Sequence, residues 1–128
     1  MDARRGALLL AAGRVVLGSA VMVAPERVTG RWLGERNAAL PVVGDLARGL
    51  AIRDIALGLA ALQTVDDPVA GPRIQAAAAA ADLVDAGATF IAREHLPLKG
   101  VLGSVVIAGG AAAAGLYFAH VLAHAQGA

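Results

Sequence analysis

Four long stretches of mostly apolar residues alternate with short polar connectors along this chain. The stretches cover about residues 6–24, 42–63, 72–94 and 98–125, and each approaches the roughly 20 apolar residues that a membrane-spanning helix needs. No segment alternates apolar and polar residues with the two-residue period of a strand, and alanine is abundant. The pattern predicts an all-α protein, in which residues 1–128 form a single integral membrane domain: an antiparallel bundle of four transmembrane helices.

Prolines and polar residues define the connectors between these predicted helices. Pro25 ends the first stretch because a proline disfavours helical geometry at the residue before it. Pro72 suits the first turn of the third helix. Residues 25–41 mix arginine and glutamate with Trp32, a composition typical of the membrane–water interface. We therefore expect a short interfacial segment between helices 1 and 2.

Composition narrows the class of protein further. The chain is 58% hydrophobic and 16% charged, whereas soluble domains average about 25% charged residues. A net charge of +1 gives no electrostatic footprint for nucleic acid. The absence of cysteine from the sequence excludes disulfides and cysteine nucleophiles. The glycines form no phosphate-binding loop and the serines no nucleophile motif, so no cofactor is predicted.

Basic residues give the expected orientation in the membrane. Arg14 interrupts the first apolar stretch, which argues against a secretory signal peptide and favours a retained first helix. Lysine and arginine are enriched in cytoplasmic loops. The first and third loops carry more of them (Arg27, Arg31, Arg36, Arg93, Lys99) than the side of the termini does (Arg4, Arg5, Arg73). This distribution predicts both termini outside, whereas the Arg4–Arg5 pair directly before the first helix favours the reverse orientation.

A layer of charge lies near the middle of three predicted helices. Its members are Arg14 in the first helix, Arg53 and Asp54 in the second, and Asp82 and Asp85 in the third. Antiparallel packing brings them to one depth, where each unpaired charge costs about 2.5–3.5 kcal/mol on insertion scales. We therefore expect these side chains to face inward and to pair. Because two arginines meet three aspartates, either one aspartate is protonated and is a candidate proton carrier, or Arg48 helps to neutralise it.

A polar stripe and a run of small residues adjoin this layer. Polar residues of the third helix follow at spacings of seven, three and four, which places on one face Gln75, Asp82, Asp85 and Thr89. At the same level the fourth helix carries only small residues: Gly109, Gly110, Ala111–Ala114 and Gly115. Small residues allow close helix packing, or they leave room for a ligand beside the charged layer.

Histidine and aromatic side chains lie near the end of the fourth helix. His120 and His124 are four residues apart, with Tyr117 about one turn earlier on the same face. Two histidines at this spacing are able to chelate a metal, but no third ligand lies at a matching depth. We therefore predict no metal site and interpret these residues as part of an interfacial belt.

The sequence from Arg48 to Gly58 carries a resemblance to a known family. It is similar to the R-x-x-G-x-R-D-x-x-L-G signature of small, uncharacterised four-helix integral membrane proteins of high-GC bacteria, with Ala51 at the first glycine of that signature. Further matching positions are Arg14, Pro25, Asp82 and Asp85. The resemblance implies a four-helix fold and a location in the bacterial inner (plasma) membrane, and it implies no activity.

Three functions fit this arrangement. The first is the binding of a lipophilic small molecule, with acid–base chemistry of an epoxide-opening, isomerase or cyclase type. Its candidate catalytic residues are Asp54, Asp82, Asp85 and Arg53, and its candidate ligand-binding residues are Arg14, Arg48, Gln75, Thr89 and Tyr117. The second is a non-catalytic subunit or assembly partner of a larger membrane complex, and the third is a proton-coupled transporter acting as a homo-oligomer. A purely structural alternative is that the layer only fixes the packing of the helices.

Overall fold

The computed structural model describes residues 2–125, and its regular structure over that range is entirely helical. The helices of this range are α1 (Ala3–Val23), α2 (Pro25–Leu33), α3 (Glu35–Ala38), α4 (Pro41–Thr64), α5 (Ala70–Ile91) and α6 (Leu98–His124), with a 3₁₀ turn at Arg93–His95. The all-α prediction is confirmed. The four predicted long helices correspond to α1, α4, α5 and α6, with ends that differ by a few residues.

Three of these helices are long and apolar enough to cross a membrane. They are α1, α5 and α6, with mean hydropathies of 1.9, 1.3 and 1.8 over their best windows. Large apolar side chains on their surfaces are exposed, including Val16, Val84 and Val106, as expected for helices that face lipid. Helix α4 has the length to span, but its four charged residues make it more polar, so its membrane crossing stays a prediction.

The connector between α1 and α4 is itself mostly helical. Helix α1 ends at Val23, before Pro25 as the sequence predicts, and α2 begins at Pro25 itself, since proline suits the first turn of a helix. Gly34 separates α2 from α3 with a φ of +85°, a backbone conformation that side-chain-bearing residues rarely adopt. A Cβ at this position would also approach the ring of Pro97 to 3.1 Å. The connector therefore turns at Gly34 and places α2 beside the start of α6.

Small residues set the contacts between neighbouring long helices. Helix α1 packs most closely on α4, and α5 on α6. A Cβ added at Gly18 would lie 2.9 Å from the carbonyl oxygen of Ala51, and one at Gly58 would lie 2.8 Å from that of Ala11. Gly115 similarly brings α6 onto Ala79 of α5. The bundle thus consists of two closely packed helix pairs, held by the small-residue packing that membrane helices favour.

Helices α1 and α6 meet at one end of the bundle. There the ring of Phe118 lies directly over Gly6, in the space that a Cβ would occupy. Ala7, Val65 and Leu122 form a small buried cluster at the same end. No buried cluster of this kind joins α1 and α6 farther along the described residues. The two helices therefore touch near Gly6 and leave space between them towards α2.

Helix α5 begins at Ala70, two residues before the predicted start at Pro72. The cause is Asp67, whose Oδ1 accepts hydrogen bonds from the backbone N–H groups of Val69 (2.8 Å) and Ala70 (2.7 Å). A side-chain oxygen of this kind satisfies N–H groups that have no partner within the helix. The two hydrogen bonds lower the pKa of the Asp67 carboxyl below its ordinary value.

This cap gives a pH prediction for the start of α5. Since folding lowers the pKa of Asp67, its stabilising contribution is present above the unfolded value of about 3.9 and is lost as pH falls through the lower folded value. We expect Asp67→Ala to reduce the protection of the Val69 and Ala70 amides from hydrogen exchange at pH 7. Because the variant has no carboxylate to protonate at this position, it should not show the further loss of protection that wild type shows in acid. Asp67→Asn, which keeps the accepting oxygen but does not titrate, should retain that protection at both pH values. Equal protection in Asp67→Ala and wild type at pH 7 would contradict the prediction.

Candidate functional site

The predicted charged layer forms one continuous network of ion pairs. We call the side chains of Arg14, Arg53, Asp54, Asp82 and Asp85 the charged layer. From α1, Arg14 Nη1 donates to Asp54 Oδ1 at 3.0 Å, and Nη2 donates to Asp82 Oδ2. From α4, Arg53 Nη1 and Nη2 donate to Asp85 Oδ1 and Oδ2 at 3.1 and 2.6 Å. The prediction that these residues face inward and pair is confirmed, and the network joins α1, α4 and α5.

Burial is uneven across the charged layer. The Arg14 side chain is 8% exposed and that of Asp82 is 11% exposed, whereas Arg53 retains 30%. Removing charges from water costs several kcal/mol per ion, and only well-made pairs and hydrogen bonds compensate for that cost. Arg14 meets this requirement with two carboxylates and a third contact, from Nη2 to the carbonyl oxygen of Ala78 at 3.4 Å. Arg14 is therefore the most buried charge of the layer, and it pairs with carboxylates on two other helices, α4 and α5.

Asp54 is the carboxylate that both arginines share. Its Oδ1 accepts from Arg14 Nη1 at 3.0 Å and from Arg53 Nη2 at 3.1 Å. Its Oδ2 accepts no hydrogen bond from any residue in the range 2–125. Asp82 and Asp85 each have an arginine as their principal partner, so Asp54 is the third carboxylate of the layer. Sequence reasoning predicted a surplus aspartate but not which one it is.

A cavity of about 600 Å³ lies between α1 and α6, and the charged layer forms part of its wall. Four members of the layer line it, namely Arg14, Asp54, Asp82 and Asp85. The other walls are mainly apolar and include Leu9, Leu10, Leu17, Val21, Leu50 and Ile107. A volume of this size and a few polar groups in an apolar surface are typical of small-molecule sites.

Two facing glycines keep this cavity open. Gly13 of α1 and Gly103 of α6 both line it, and a Cβ at either position would meet no described atom within 4 Å. The small residues that α6 carries at the level of the charged layer have different surroundings. Gly115 packs closely on α5, while Ala111 lines the cavity and a Cβ at Gly109 or Gly110 meets open space.

Helix α2 lies at the far end of the cavity, opposite the contact of Gly6 with Phe118. Val28, Thr29, Arg31 and Trp32 of α2 line this end together with Lys99 and Gly100 of α6. The carbonyl oxygen of Trp32 lies where a Cβ of residue 100 would be, so only glycine permits this approach. The indole Nε1 of Trp32 donates to Thr89 Oγ1 at 3.1 Å. Two independent contacts therefore hold α2 over this end.

The remaining predicted ligand-binding residues lie outside the cavity lining. Arg48 is exposed on α4. It lies five residues from Arg53 and hence on a different face of the helix. No ion pair among residues 2–125 connects it to the charged layer.

Gln75 is buried, and its Nε2 has no hydrogen-bond partner among the described residues. Thr89 is buried beside Ser104, at 3.3 Å between the hydroxyl oxygens, and Tyr117 is exposed and packs edge-on against Phe118. Of the candidate catalytic residues, Arg53 alone is absent from the cavity lining, and it forms ion pairs with Asp54 and Asp85.

His120 and His124 lie on the exposed surface of α6. Their ring centroids are 4.2 Å apart, and His124 Nδ1 donates to the carbonyl oxygen of His120 at 2.7 Å. Over residues 2–125 no group of three histidine, cysteine or carboxylate side chains is arranged to hold a metal ion.

Several lining residues were not predicted from the sequence. The sequence places Arg31 and Trp32 in a connector and Lys99 at the start of the fourth helix, and nothing in it distinguishes Gly13 as a lining residue. One available signal was the spacing of Gly100, Gly103, Ile107 and Ala111 along one face of α6, which is the face that lines the cavity.

No protein-family model, no curated protein and no solved structure matches this chain. The cavity and the charged layer in its wall are therefore the features of this chain that indicate a function.

Proposed function

We propose that this protein is an integral membrane protein whose cavity binds a lipophilic small molecule beside the charged layer. In this proposal α1, α4, α5 and α6 all cross the bilayer as an antiparallel bundle, and α2 lies at the interface. The crossing of α4 is supported by the pairing of Arg53 and Asp54 inside the bundle. The other charges of α4, Asp45 and Arg48, lie in its first two turns, from where long side chains reach the interface.

The observation that carries this proposal is the combination of apolar walls with an available carboxylate oxygen. Asp54 lines the cavity, and its Oδ2, like Oδ1 of Asp82, accepts no hydrogen bond from the described residues. Asp54 is the carboxylate that both arginines share, so we take its Oδ2 as the acceptor. A ligand that buries an apolar body against α1 and α6 would meet this oxygen with a hydrogen-bond donor. A few such polar contacts in an apolar pocket fix the orientation of a ligand.

The Asp54 carboxylate also supports acid–base chemistry as the reaction type of this site. Two arginines and three aspartates leave one negative charge when all are ionised, and one proton neutralises the network. Because Asp54 is shared, its replacement leaves the Arg14–Asp82 and Arg53–Asp85 pairs in place. Asp54 is thus the group we propose for exchanging a proton with a bound molecule, with Asp82, Asp85 and the two arginines holding it in position.

The cavity is tested by closing it from one wall. A single-chain monoacylglycerol with a dibrominated stearoyl chain quenches tryptophan on contact, and Trp32 is the one tryptophan of the sequence. In phosphatidylcholine nanodiscs we expect saturable quenching of Trp32 by this probe, measured as steady-state fluorescence. Gly103→Leu places a side chain into the open space of the cavity and should weaken the binding about tenfold.

Gly110→Leu is the matched control for this experiment. It adds the same side chain to α6 at an exposed glycine that does not line the cavity, so its binding should equal that of wild type. Quenching that rises linearly with probe concentration and is identical in all three proteins would overturn the proposal, because bulk lipid alone produces that result.

The resemblance of the Arg48–Gly58 segment to bacterial four-helix membrane proteins supports a bacterial inner membrane as the location, and the distribution of basic residues favours both termini outside. A subunit of a larger complex, a proton-coupled transporter and a homo-oligomer stay predictions.

A further inference from the structure

The end of the cavity beneath α2 carries two positive charges. Arg31 from the last turn of α2 and Lys99 from the first turn of α6 both line it. The ion pairs of residues 2–125 involve neither of them. Two cations without a carboxylate partner at the mouth of one cavity create a positive potential there.

The inner part of the same cavity has the opposite sign. The charged layer sums to one negative charge when all its groups are ionised, and Asp54, Asp82 and Asp85 all line the wall. An anion is therefore repelled from the inner part and attracted to the outer end. The apolar walls between these two regions favour a hydrocarbon chain over a polar body.

The position of α2 places this positive end at headgroup depth. Helix α2 begins directly after α1 and exposes Glu26, Arg27 and Arg31, while Thr29 is buried against the bundle. Trp32 at its end is the residue type that favours the membrane–water interface. A molecule within the cavity therefore has its outer end among lipid headgroups and its inner end at the level of the charged layer.

We infer that the ligand of this cavity is a single-chain anionic amphiphile, with its phosphate or carboxylate group at Arg31 and Lys99 and its hydrocarbon chain between α1 and α6. This inference rests on the proposed function and adds the class and the orientation of the ligand. Arginine and lysine hold such oxyanions through charge-assisted hydrogen bonds. The negative inner wall excludes the reverse orientation.

The test compares two probes that differ only in the headgroup. Lysophosphatidic acid and monoacylglycerol, each with the same dibrominated stearoyl chain, are titrated against Trp32 fluorescence in phosphatidylcholine nanodiscs. Wild type should bind the phosphate-bearing probe about tenfold more tightly. In the Arg31→Gln/Lys99→Gln variant this preference should disappear, because the affinity for the phosphate-bearing probe falls to that for monoacylglycerol. The charge-preserving variant Arg31→Lys/Lys99→Arg should keep the preference.

A second pair of substitutions distinguishes binding at Arg31 and Lys99 from a general effect of positive surface charge. Arg27→Gln/Arg36→Gln removes the same charge from exposed residues of the same connector that do not line the cavity, and it should leave the preference intact. An equal loss in this variant would overturn the inference, because the membrane surface potential would then be the cause. Displacement of the brominated phosphate probe by inorganic phosphate alone would overturn it as well, since the outer end would then hold free anions.

The outcomes for the two proposals are distinguishable. Saturable binding without a headgroup preference in wild type overturns the assignment of an anionic ligand and leaves the lipophilic cavity standing. Absence of saturable binding for both probes overturns the proposed function itself.

Discussion

Replacing Arg14 with glutamine should destabilise the folded protein by about 3–5 kcal/mol, the cost of removing one partner from a buried ion pair. Arg14 is 8% exposed and holds Asp54 and Asp82 at once. Its loss leaves three carboxylates with one arginine in the middle of the bundle. The measurement is the unfolding midpoint in detergent micelles under increasing denaturant, calibrated against wild type.

A second substitution shows whether unpaired charge is the cause. In Arg14→Gln/Asp82→Asn the orphaned carboxylate is removed together with its partner, so we expect recovery of a large part of the lost stability. As a contrast, Arg4→Ala breaks the exposed pair with Asp66. Because exposed pairs contribute little to stability, the unfolding midpoint of this variant should equal that of wild type. Equal loss in the single and double variants would show that packing of the Arg14 side chain is its main role.

The second large effect is expected at Gly100, where α2 rests on α6. Gly100→Ala places a methyl group on the carbonyl oxygen of Trp32, and backbone cannot move aside as the end of a side chain can. Overpacking of this kind costs about 1–3 kcal/mol. We expect α2 to be displaced, the hydrogen bond from Trp32 to Thr89 to break, and the Trp32 emission maximum to shift to longer wavelength as the indole becomes hydrated.

Gly103→Ala is the control one turn further along α6. The same methyl group meets no described atom within 4 Å there, so stability and tryptophan emission should match wild type, and helix propensity should favour alanine slightly. A Gly100→Ala variant with wild-type stability and emission would contradict the close approach of α2.

The charged layer both holds the fold and forms the cavity wall. Its ion pairs join α1, α4 and α5, and among the described residues none of them reaches α6. Helix α6 is held instead by Gly115 on α5 and by Phe118 over Gly6. The space between α1 and α6 is therefore the part of the bundle where neither charge pairing nor small-residue packing draws the helices together, and the cavity lies there.

The charged layer itself could be predicted from the sequence because the cost of a charge in an apolar helix is local and large. Any folded arrangement has to pair Arg14, Arg53 and the three aspartates, so their presence in apolar stretches was enough to predict inward orientation. The stripe on α5 was likewise predictable, because helical spacing alone places Gln75, Asp82 and Thr89 on one face. All three are buried in the structure.

The cavity could not be predicted in the same way, because it depends on distances between helices that are remote in sequence. Gly100 and Gly103 are indistinguishable by type and lie three residues apart, yet one contacts backbone and the other borders open space. Arg48 and Arg53 are both arginines of one helix, and only the position of the neighbouring helices decides that Arg53 is paired within the bundle and Arg48 is exposed.

Three properties can be read from the amino-acid sequence: this chain is helical, it has stretches suited to a membrane, and five charges have to meet inside it. Those properties follow from helical periodicity, hydropathy and the desolvation of charge, which act residue by residue. Three other features follow only from the folded arrangement: Asp54 is the shared carboxylate, α1 and α6 separate, and Arg31 and Lys99 come to one end of the space between them. The reason is physical: these features depend on where backbones approach each other, and small residues such as Gly6, Gly58 and Gly115 set those approaches across the whole bundle.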